Sequence, residues 1–329
     1  MRPARASLFT TALRQASLIL FVVVIASFGA LSPKFFTADN AINILIQSAP
    51  TGIVAVGMTF VLLTAGVDLS VGAIMFLAAG IAGKMLLAGQ PLAPALGTML
   101  AIGLAGGGVN AVFIARLRIA PFIVTLAFLF IGRGLALTIT QTRAMNLPES
   151  FLQLGSARVL GLPMPLLTLG LVLLIAHAVL TRTPFGRQIY ALGNHPANAR
   201  KAGIRTTRLL AAVYLISGFC AALGAILSLT QLGAVSPKFG EAYEFKAIAA
   251  AVLGGTSLFG GRGAVLPGTL LGAVLIQAVE SGLVILNADP YLYPIITAAI
   301  IFLAVLVDSV RNTVLARLSR RKIRTEPAA

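Results

Sequence analysis

The sequence predicts an all-α polytopic membrane protein with about ten transmembrane helices and both termini in the cytoplasm. Of the 329 residues, 58% are hydrophobic and only 10% are charged, which is less than half the charge of an ordinary soluble domain. The mean hydropathy is +0.97. Charged residues divide the chain into apolar intervals close to the roughly 20 residues that cross a bilayer. This composition excludes a soluble globular fold and a disordered chain.

The first five predicted spans end where charged residues interrupt the apolar intervals. They cover 16–31, 49–65, 69–87, 92–115 and 121–142. The third interval is short for a span, so we extend it past Lys84, and the fifth span contains one charge, Arg133. A cleaved signal peptide is an alternative interpretation of the first span, because small residues are frequent in 26–30.

The second half of the chain repeats this pattern. Residues 159–181 and 209–237 each hold a span, the eighth span runs from about 245 to 259, the ninth lies between 264 and 286, and residues 290–307 hold the tenth. All ten spans belong to one continuous membrane domain, 16–310, because no predicted outside loop is long enough to fold by itself. A cytoplasmic N-terminal segment, 1–15, precedes this domain, and a basic cytoplasmic tail, 311–329, follows it.

The basic residues predict the orientation of these spans. The net charge is +16, which in a soluble protein would point to nucleic acid. With the N-terminus inside, 18 of the 25 Lys and Arg residues fall in cytoplasmic segments and six fall outside. This bias follows the positive-inside rule. The excess of basic residues is therefore attributed to membrane topology and to contact with anionic lipid, and not to a nucleic-acid site.

The residues offer no support for catalysis or for a bound cofactor. Cys220 is the single cysteine, so a disulfide within the chain and a thiolate metal cluster are excluded. The two histidines, His177 and His195, belong to no catalytic or metal-binding motif, and the chain contains no P-loop. The sequence predicts a protein that is not an enzyme, with no catalytic residues, no metal site and no cofactor of its own.

A charged, glycine-containing stretch follows the second predicted span. Gly66 and Gly72 are expected to break the helix, and the freed backbone groups need protein partners or a water-lined cavity. Asp68 is predicted to cap the third span by accepting a hydrogen bond from the amide of Ser70 or Val71. A second interpretation, compatible with the first, places this bend beside a path across the membrane.

A second glycine-rich stretch, 254–263, follows the eighth predicted span. Glycine-interrupted segments in the two halves of a membrane protein point to a binding site near the middle of the bilayer. The residues predicted to flank this second break are Gly255, Thr256, Ser257, Gly261 and Arg262. Whether the two halves are inverted or parallel repeats stays open.

The longest predicted cytoplasmic loop, 182–208, is basic and contains helix signals. Asn194 or His195 suits the position before a helix. Pro196 suits the first turn and Gly203 the position just past the end, which predicts a helix of about two turns. So short a helix is marginal alone in water, which favours docking on another protein. A plain solvated connector is the alternative.

Several motifs occur in order along the chain. They read GMTFVLLTAGVDLSVG at 57–72, RIAPFIVTL at 118–126, FGR at 185–187, ALGN at 191–194, LGGTS at 253–257 and GGRG at 260–263. Together they resemble the signature of permease subunits of ribose/xylose/galactose-type ABC importers. The resemblance covers roughly 40–310.

The resemblance implies both partners and site residues. The implied partners are a second permease subunit, identical or different, a cytoplasmic subunit that binds ATP–Mg, and a periplasmic sugar-binding protein. It also implies a multi-pass protein of the bacterial inner membrane, whose loop 182–208 couples to the ATPase. The implied coupling residues are Phe185, Gly186, Arg187, Gly193, Asn194, Ala199 and Gly203. The residues themselves, not the resemblance, suggest that the two glycine-broken stretches lie at the translocation path or at a helix break.

The predicted function is that of a monosaccharide permease subunit in an ATP-driven importer, for a pentose or a hexose. A permease for branched-chain amino acids or nucleosides is one alternative. A proton-coupled secondary sugar carrier is a second, disfavoured because acids within the spans are few. A channel or a scaffold is a third. The sequence does not name the sugar or the residues that contact it.

Overall fold

The computed structural model describes residues 16–299 together with 302, 303 and 306. Helices dominate these residues. Those of the first half are α1 (Ala16–Leu31), α2 (Ala38–Leu63), α3 (Val71–Leu87), α4 (Leu92–Ala111), α5 (Pro121–Thr140) and α6 (Glu149–Ser156). Those of the second half are α7 (Met164–Arg182), α8 (Pro184–Asn194), α9 (Pro196–Lys201), α10 (Thr206–Leu232), α11 (Tyr243–Leu253) and α12 (Leu270–Ile285). Residues 293–299 are also helical.

Short irregular elements join these helices. Two 3₁₀ turns cover Pro33–Phe36 and Pro290–Leu292, and two π turns, Val112–Arg116 and Val265–Thr269, extend α4 and precede α12. The strands β1 (Met145–Asn146) and β4 (Ala234–Val235) pair antiparallel, with Met145 opposite Val235. The strands β2 (Arg158–Val159) and β3 (Leu162–Pro163) form a hairpin, with Arg158 opposite Pro163.

The described residues confirm an all-α polytopic architecture. Six helices are long and apolar enough to cross a membrane: Ala38–Leu63, Leu92–Arg116, Pro121–Thr140, Met164–Arg182, Thr206–Leu232 and Val265–Ile285. The apolar parts of α1 and α3, Phe21–Leu31 and Val71–Leu87, are shorter. The tenth predicted span, 290–307, lies partly outside the described residues, and the two predicted terminal segments, 1–15 and 311–329, lie entirely outside them. The total of ten spans and the orientation therefore stay predictions.

Two predicted spans have the wrong bounds. The second begins at Ala38, not at residue 49, because the helix continues through a polar first part that hydropathy does not detect. Asp39 in its first turn favours this start, since a negative charge stabilises a helix N-terminus. The eighth, predicted as 245–259, is the 11-residue helix α11, which ends at Leu253 where the glycine-rich stretch begins. Eleven helical residues reach only about half the thickness of a bilayer core.

Residues 41–277 form one compact unit. Its core brings α4 and α10 into close backbone contact at glycines. A Cβ atom at Gly103 would overlap the carbonyl oxygen of Gly218, and one at Gly107 would overlap that of Tyr214. Small residues at such positions let membrane helices approach closely and pack by van der Waals contact. This packing fixes α10 against the helices that carry the site described below.

The second unit comprises 1–40 and 278–329, of which 16–40, 278–299 and residues 302, 303 and 306 are described. The rings of Phe28 and Phe35 stack with their centroids 5.5 Å apart. The Asn40 side chain donates a hydrogen bond to the Phe35 carbonyl oxygen over 2.8 Å. Asn40 also accepts a 2.8 Å hydrogen bond from Ser281, so a small polar cluster joins the segments of this unit.

Candidate functional site

The candidate site begins at the break between α2 and α3. Helix α2 ends at Leu63, and helical structure resumes only at Val71. The Ala65 backbone has a φ of 60°, a left-handed conformation that turns the chain out of the helix. The Gly66 amide then donates to the Val61 carbonyl oxygen over 3.2 Å, which satisfies part of the helix end. The predicted break around Gly66 is confirmed, but the prediction for Gly72 is wrong, because Gly72 lies in the first turn of α3.

Asp68 lies at the centre of this break and is fully buried. Its Oδ1 atom accepts hydrogen bonds from the Ser70 amide at 3.0 Å and from the Ser70 hydroxyl. Its Oδ2 atom accepts a 2.7 Å hydrogen bond from the Ser217 hydroxyl on α10. The predicted bond from the Ser70 amide is thus present, but the N-cap of α3 is Ser70 and not Asp68, because the helix begins only at Val71. The carboxyl also fastens the break to a distant helix.

The hydrogen-bond network extends to two further helices. Asn110 of α4 donates from its amide nitrogen to the Ser70 hydroxyl oxygen over 2.7 Å. Thr125 of α5 donates to the Val67 carbonyl oxygen over 3.4 Å. Sequence reasoning did not identify Asn110, Thr125 or Ser217. Each is a polar residue inside an apolar span, and this feature could have drawn attention to it. Many such residues, however, form hydrogen bonds only within their own helix.

The second glycine-rich stretch folds back onto the end of α2. Its turn is closed by the Ser257 amide, which donates to the Arg262 carbonyl oxygen over 2.8 Å. The Gly261 amide donates to the Leu63 carbonyl oxygen over 2.9 Å, and so caps the last turn of α2. Thr256 is buried, whereas the Arg262 side chain is exposed.

The end of α8 packs against both of these stretches. A Cβ atom at Gly193 would overlap the Leu63 carbonyl oxygen, so only glycine permits this approach. The Asn194 side chain donates to the carbonyl oxygens of Tyr190 at 2.9 Å and Gly261 at 3.3 Å. The structure therefore brings together three stretches that the sequence singled out separately: the break after Leu63, the glycine-rich turn and the coupling residues Gly193 and Asn194.

Tyr190 adds a second link between α8 and the glycine-rich turn. Its hydroxyl donates a 2.9 Å hydrogen bond to the Gly263 carbonyl oxygen. Burial raises the pKa of the Tyr190 phenol above its ordinary value, so the donating neutral form is favoured. Tyr190 was not singled out by the sequence.

Loop 182–208 contains two helices, whereas the sequence predicted only one short helix. Helix α8 was not predicted. Its N-cap residue Thr183 accepts a 3.3 Å hydrogen bond from the Gly186 amide. Helix α9 begins at Pro196 as predicted, but the side chain of His195 makes no capping hydrogen bond. Gly203 has a φ of 80° just past the end of α9, as predicted for this position.

The predicted coupling residues divide into exposed and buried groups. Those with exposed side chains or backbone are Arg187, Asn194 and Gly203, and those that are buried are Gly186, Gly193 and Ala199. Phe185 is half-buried and packs against the core. The buried members place α8 and α9 on the molecule, and the exposed members leave a surface on which another protein can dock.

Gly72 belongs to a different contact from the rest of the break. A Cβ atom there would overlap the Gly240 carbonyl oxygen and come within 2.6 Å of the Glu244 carboxylate. The segment that contains Gly240 is also held by Arg133, whose guanidinium lies 3.5 Å from Glu241. The structure therefore places Gly72 beside this segment and not beside α8. Among the described residues, no cluster of His, Cys, Asp and Glu could hold a metal ion.

Comparison with known proteins gives consistent matches along almost the whole chain. The chain is 38% identical to the ribose import permease protein RbsC of Haemophilus influenzae over 306 residues, which cover 92% of this chain and 94% of the relative. It is 40% identical to RbsC of Escherichia coli K12, covering 90% and 94%. It is 36% identical to the D-allose transport system permease protein AlsC of the same strain, covering 90% and 91%. No solved structure matches.

The family assignment rests on most of the chain. A family model described as "Branched-chain amino acid transport system / permease component" matches residues 40–305. This range includes the broken helix, the glycine-rich turn, and helices α8 and α9. The chain therefore belongs to the branched-chain amino acid transport system / permease component family.

Proposed function

We propose that this chain is the membrane-spanning permease subunit of an ATP-driven importer for a monosaccharide, located in the bacterial inner membrane. The relatives that match over nine tenths of the chain are named for ribose and D-allose. The family description names branched-chain amino acids, but these relatives favour a sugar. Amino acid or nucleoside transport and proton-coupled sugar transport are not favoured.

One observation carries the mechanism: α8 touches the broken helix directly. The Gly193 backbone contacts the Leu63 carbonyl group, and that same oxygen accepts the Gly261 amide. A displacement of α8 cannot leave this three-way contact unchanged, because close-packed backbones have no space to absorb it. A motion imposed on the exposed side of α8 and α9 would therefore reach the break and its Asp68 network.

The energy for this motion would come from a partner. We propose that ATP–Mg binds to a separate cytoplasmic subunit that docks on α8 and α9, and that the chain itself binds no cofactor and catalyses no reaction. A second permease subunit and a sugar-binding protein outside the membrane would complete the importer. Ligand binding drives a conformational change only by its different affinity for the two states, so ATP and the loaded binding protein must favour different states.

Transport by the reconstituted complex tests the function. The chain and a candidate ATPase subunit are reconstituted in proteoliposomes, and a sugar-binding protein is added. Uptake of radiolabelled ribose, allose and a branched-chain amino acid is then measured with and without ATP on the side of the ATPase. We expect uptake of a sugar that requires both ATP and the binding protein. Uptake that continues without ATP but collapses with a proton uncoupler would contradict the proposal.

A further inference from the structure

A cavity of about 290 Å³ opens beside the broken helix, and nothing in the transport mechanism uses it. Four segments enclose it: the end of α2, the turn between α4 and α5, helix α9 and the start of α10. The residues that matter here are Gly66, Arg118, Arg200, Thr206, Thr207 and Tyr214. The contribution of α9 places the cavity on the same side of the molecule as the proposed ATPase surface.

The rim of this cavity is positively charged. Arg118 and Arg200 both line it with exposed side chains, and the described lining contains no carboxylate. Two long helices also begin at the cavity, α5 at Pro121 and α10 at Thr206. The unpaired amides and the dipole of a helix N-terminus favour an anion.

Tyr214 provides an independent sign of a missing ligand. Its side chain is fully buried and lines the cavity, yet its hydroxyl has no hydrogen-bond partner. A buried hydroxyl without a partner is rare in native structures. The hydroxyl faces Gly66, where an added Cβ atom would lie 2.7 Å away. Gly66 lines the same cavity, so a donor without an acceptor lies at the cavity wall.

The negative charge of a ligand is expected at the rim of the cavity. Asp68 is bound to Ser217, one helical turn from Tyr214 on α10, so a carboxyl lies behind the cavity floor. Arg118 and Arg200, by contrast, line the cavity with exposed side chains. Guanidinium groups bind phosphate oxygens in pairs, whereas a hydroxyl reaches a single oxygen.

We propose that this cavity binds a phosphoryl group, supplied either by a soluble phosphate compound or by the headgroup of an anionic lipid. Arg118 and Arg200 hold its oxygens at the rim, the side-chain hydroxyls of Thr206 and Thr207 donate at the start of α10, and the Tyr214 hydroxyl donates from the cavity wall. An occupied site ties α9 to the turn between α4 and α5. Binding needs neither sugar nor ATPase, so this inference goes beyond the transport function and stands or falls separately.

The first test measures the melting temperature of the purified full-length chain in detergent. Sodium phosphate is titrated against sodium chloride at the same pH and ionic strength. We expect a saturable rise of the melting temperature with phosphate only, because a ligand of the folded state stabilises it by mass action. Arg200→Gln and Arg118→Asn should each weaken the apparent Kd about tenfold or more, as expected when a charge-assisted pair is lost. Asn tolerates the left-handed backbone of Arg118.

Two further variants separate binding from folding. Arg208→Gln removes the same charge from an exposed residue that does not line the cavity, and should bind phosphate like the wild type. Tyr214→Phe removes only the unpartnered hydroxyl, so without phosphate it should melt at the wild-type temperature or above it. With phosphate its Kd should weaken severalfold. Wild-type binding by Tyr214→Phe and both cavity arginine variants would overturn the proposal.

Nanodiscs distinguish the two sources of the phosphoryl group. The phosphate titration is repeated in discs of phosphatidylcholine and in discs that contain phosphatidylglycerol. A response in both lipids assigns the site to a soluble phosphate compound. A response in phosphatidylcholine that disappears in phosphatidylglycerol, together with an Arg200-dependent stabilisation by the anionic lipid, assigns it to a headgroup. The absence of any dependence on phosphate or anionic lipid would overturn the proposal.

Discussion

At the scale of single residues, the side chain of Asp68 holds two elements of the described chain together. It accepts three hydrogen bonds, from the Ser70 amide, the Ser70 hydroxyl and the Ser217 hydroxyl, and thereby joins the broken helix to α10. Its cost of burial is offset only while these donors remain. The same bonds hold the chain in a non-helical path within the apolar core. Asp68 therefore fastens the break between α2 and α3 to α10.

Replacing Asp68 by Ala should lower both stability and transport. The substitution leaves the hydroxyls of Ser70 and Ser217 without their acceptor, and each such loss costs about 1–3 kcal/mol. We expect a lower melting temperature in detergent and reduced uptake in proteoliposomes. Ser217→Ala is the matched control, because it removes one bond and should have the smaller effect. Wild-type stability and uptake for Asp68→Ala would show that the network is dispensable.

Replacing Gly193 by Ala should impair coupling more than folding. The added methyl group would overlap the Leu63 carbonyl oxygen and push α8 away from the break. Overpacking of this kind costs about 1–3 kcal/mol, so sugar uptake should fall roughly tenfold or more. The ATPase should still copurify, since Gly193 is buried and lies off the exposed surface. Gly170→Ala, whose Cβ atom meets nothing within 4 Å, is the control and should transport normally.

At the scale of elements, α8 and α9 differ from the spans in their charge and exposure. The exposed basic residues of this region include Arg187, Arg200, Lys201, Arg205 and Arg208. The buried side of α8, by contrast, contributes Ile189 and Leu192 to the core. A helix pair with one apolar, anchored side and one basic, exposed side is suited to receive an acidic surface of a soluble partner.

Association with the ATPase should weaken in the triple variant Arg187→Gln, Lys201→Gln, Arg208→Gln. The association that remains should depend less on salt concentration than that of the wild type. Charged contacts at the edge of an interface mainly affect the association rate and its ionic-strength dependence. Copurification at low and high salt measures this effect. The control is a triple variant of three exposed basic residues in predicted outside loops, Arg143, Arg158 and Lys238. Equal loss in both variants would mean that only net charge matters.

At the scale of the whole molecule, the unequal distribution of basic residues predicts the orientation. The single cysteine, Cys220, is buried, so the wild-type chain should give little background with a thiol reagent. Gly161 and Ala197 are exposed at the β2–β3 hairpin and in α9. These two positions lie in predicted outside and inside segments, respectively.

Cysteine labelling tests this orientation. A membrane-impermeant maleimide should label Gly161→Cys in intact spheroplasts, and should label Ala197→Cys only after the membrane is permeabilised. Both variants are first checked for normal amounts in the membrane. The reverse pattern would contradict the predicted topology and would place α8 and α9 outside the cell.

The sequence by itself determined the apolar helices, because hydropathy and charge are properties of each segment alone. It also located the helix break at Asp68 and the end of α9 at Gly203, where local chemistry dictates the backbone. Only the tertiary structure decided that Ser217 donates to Asp68 and Asn110 to Ser70, that α8 is a separate helix, and that Gly193 and Gly261 both contact Leu63. These contacts join residues far apart in the chain, and a hydrogen bond or a glycine contact depends on distances that no local pattern contains.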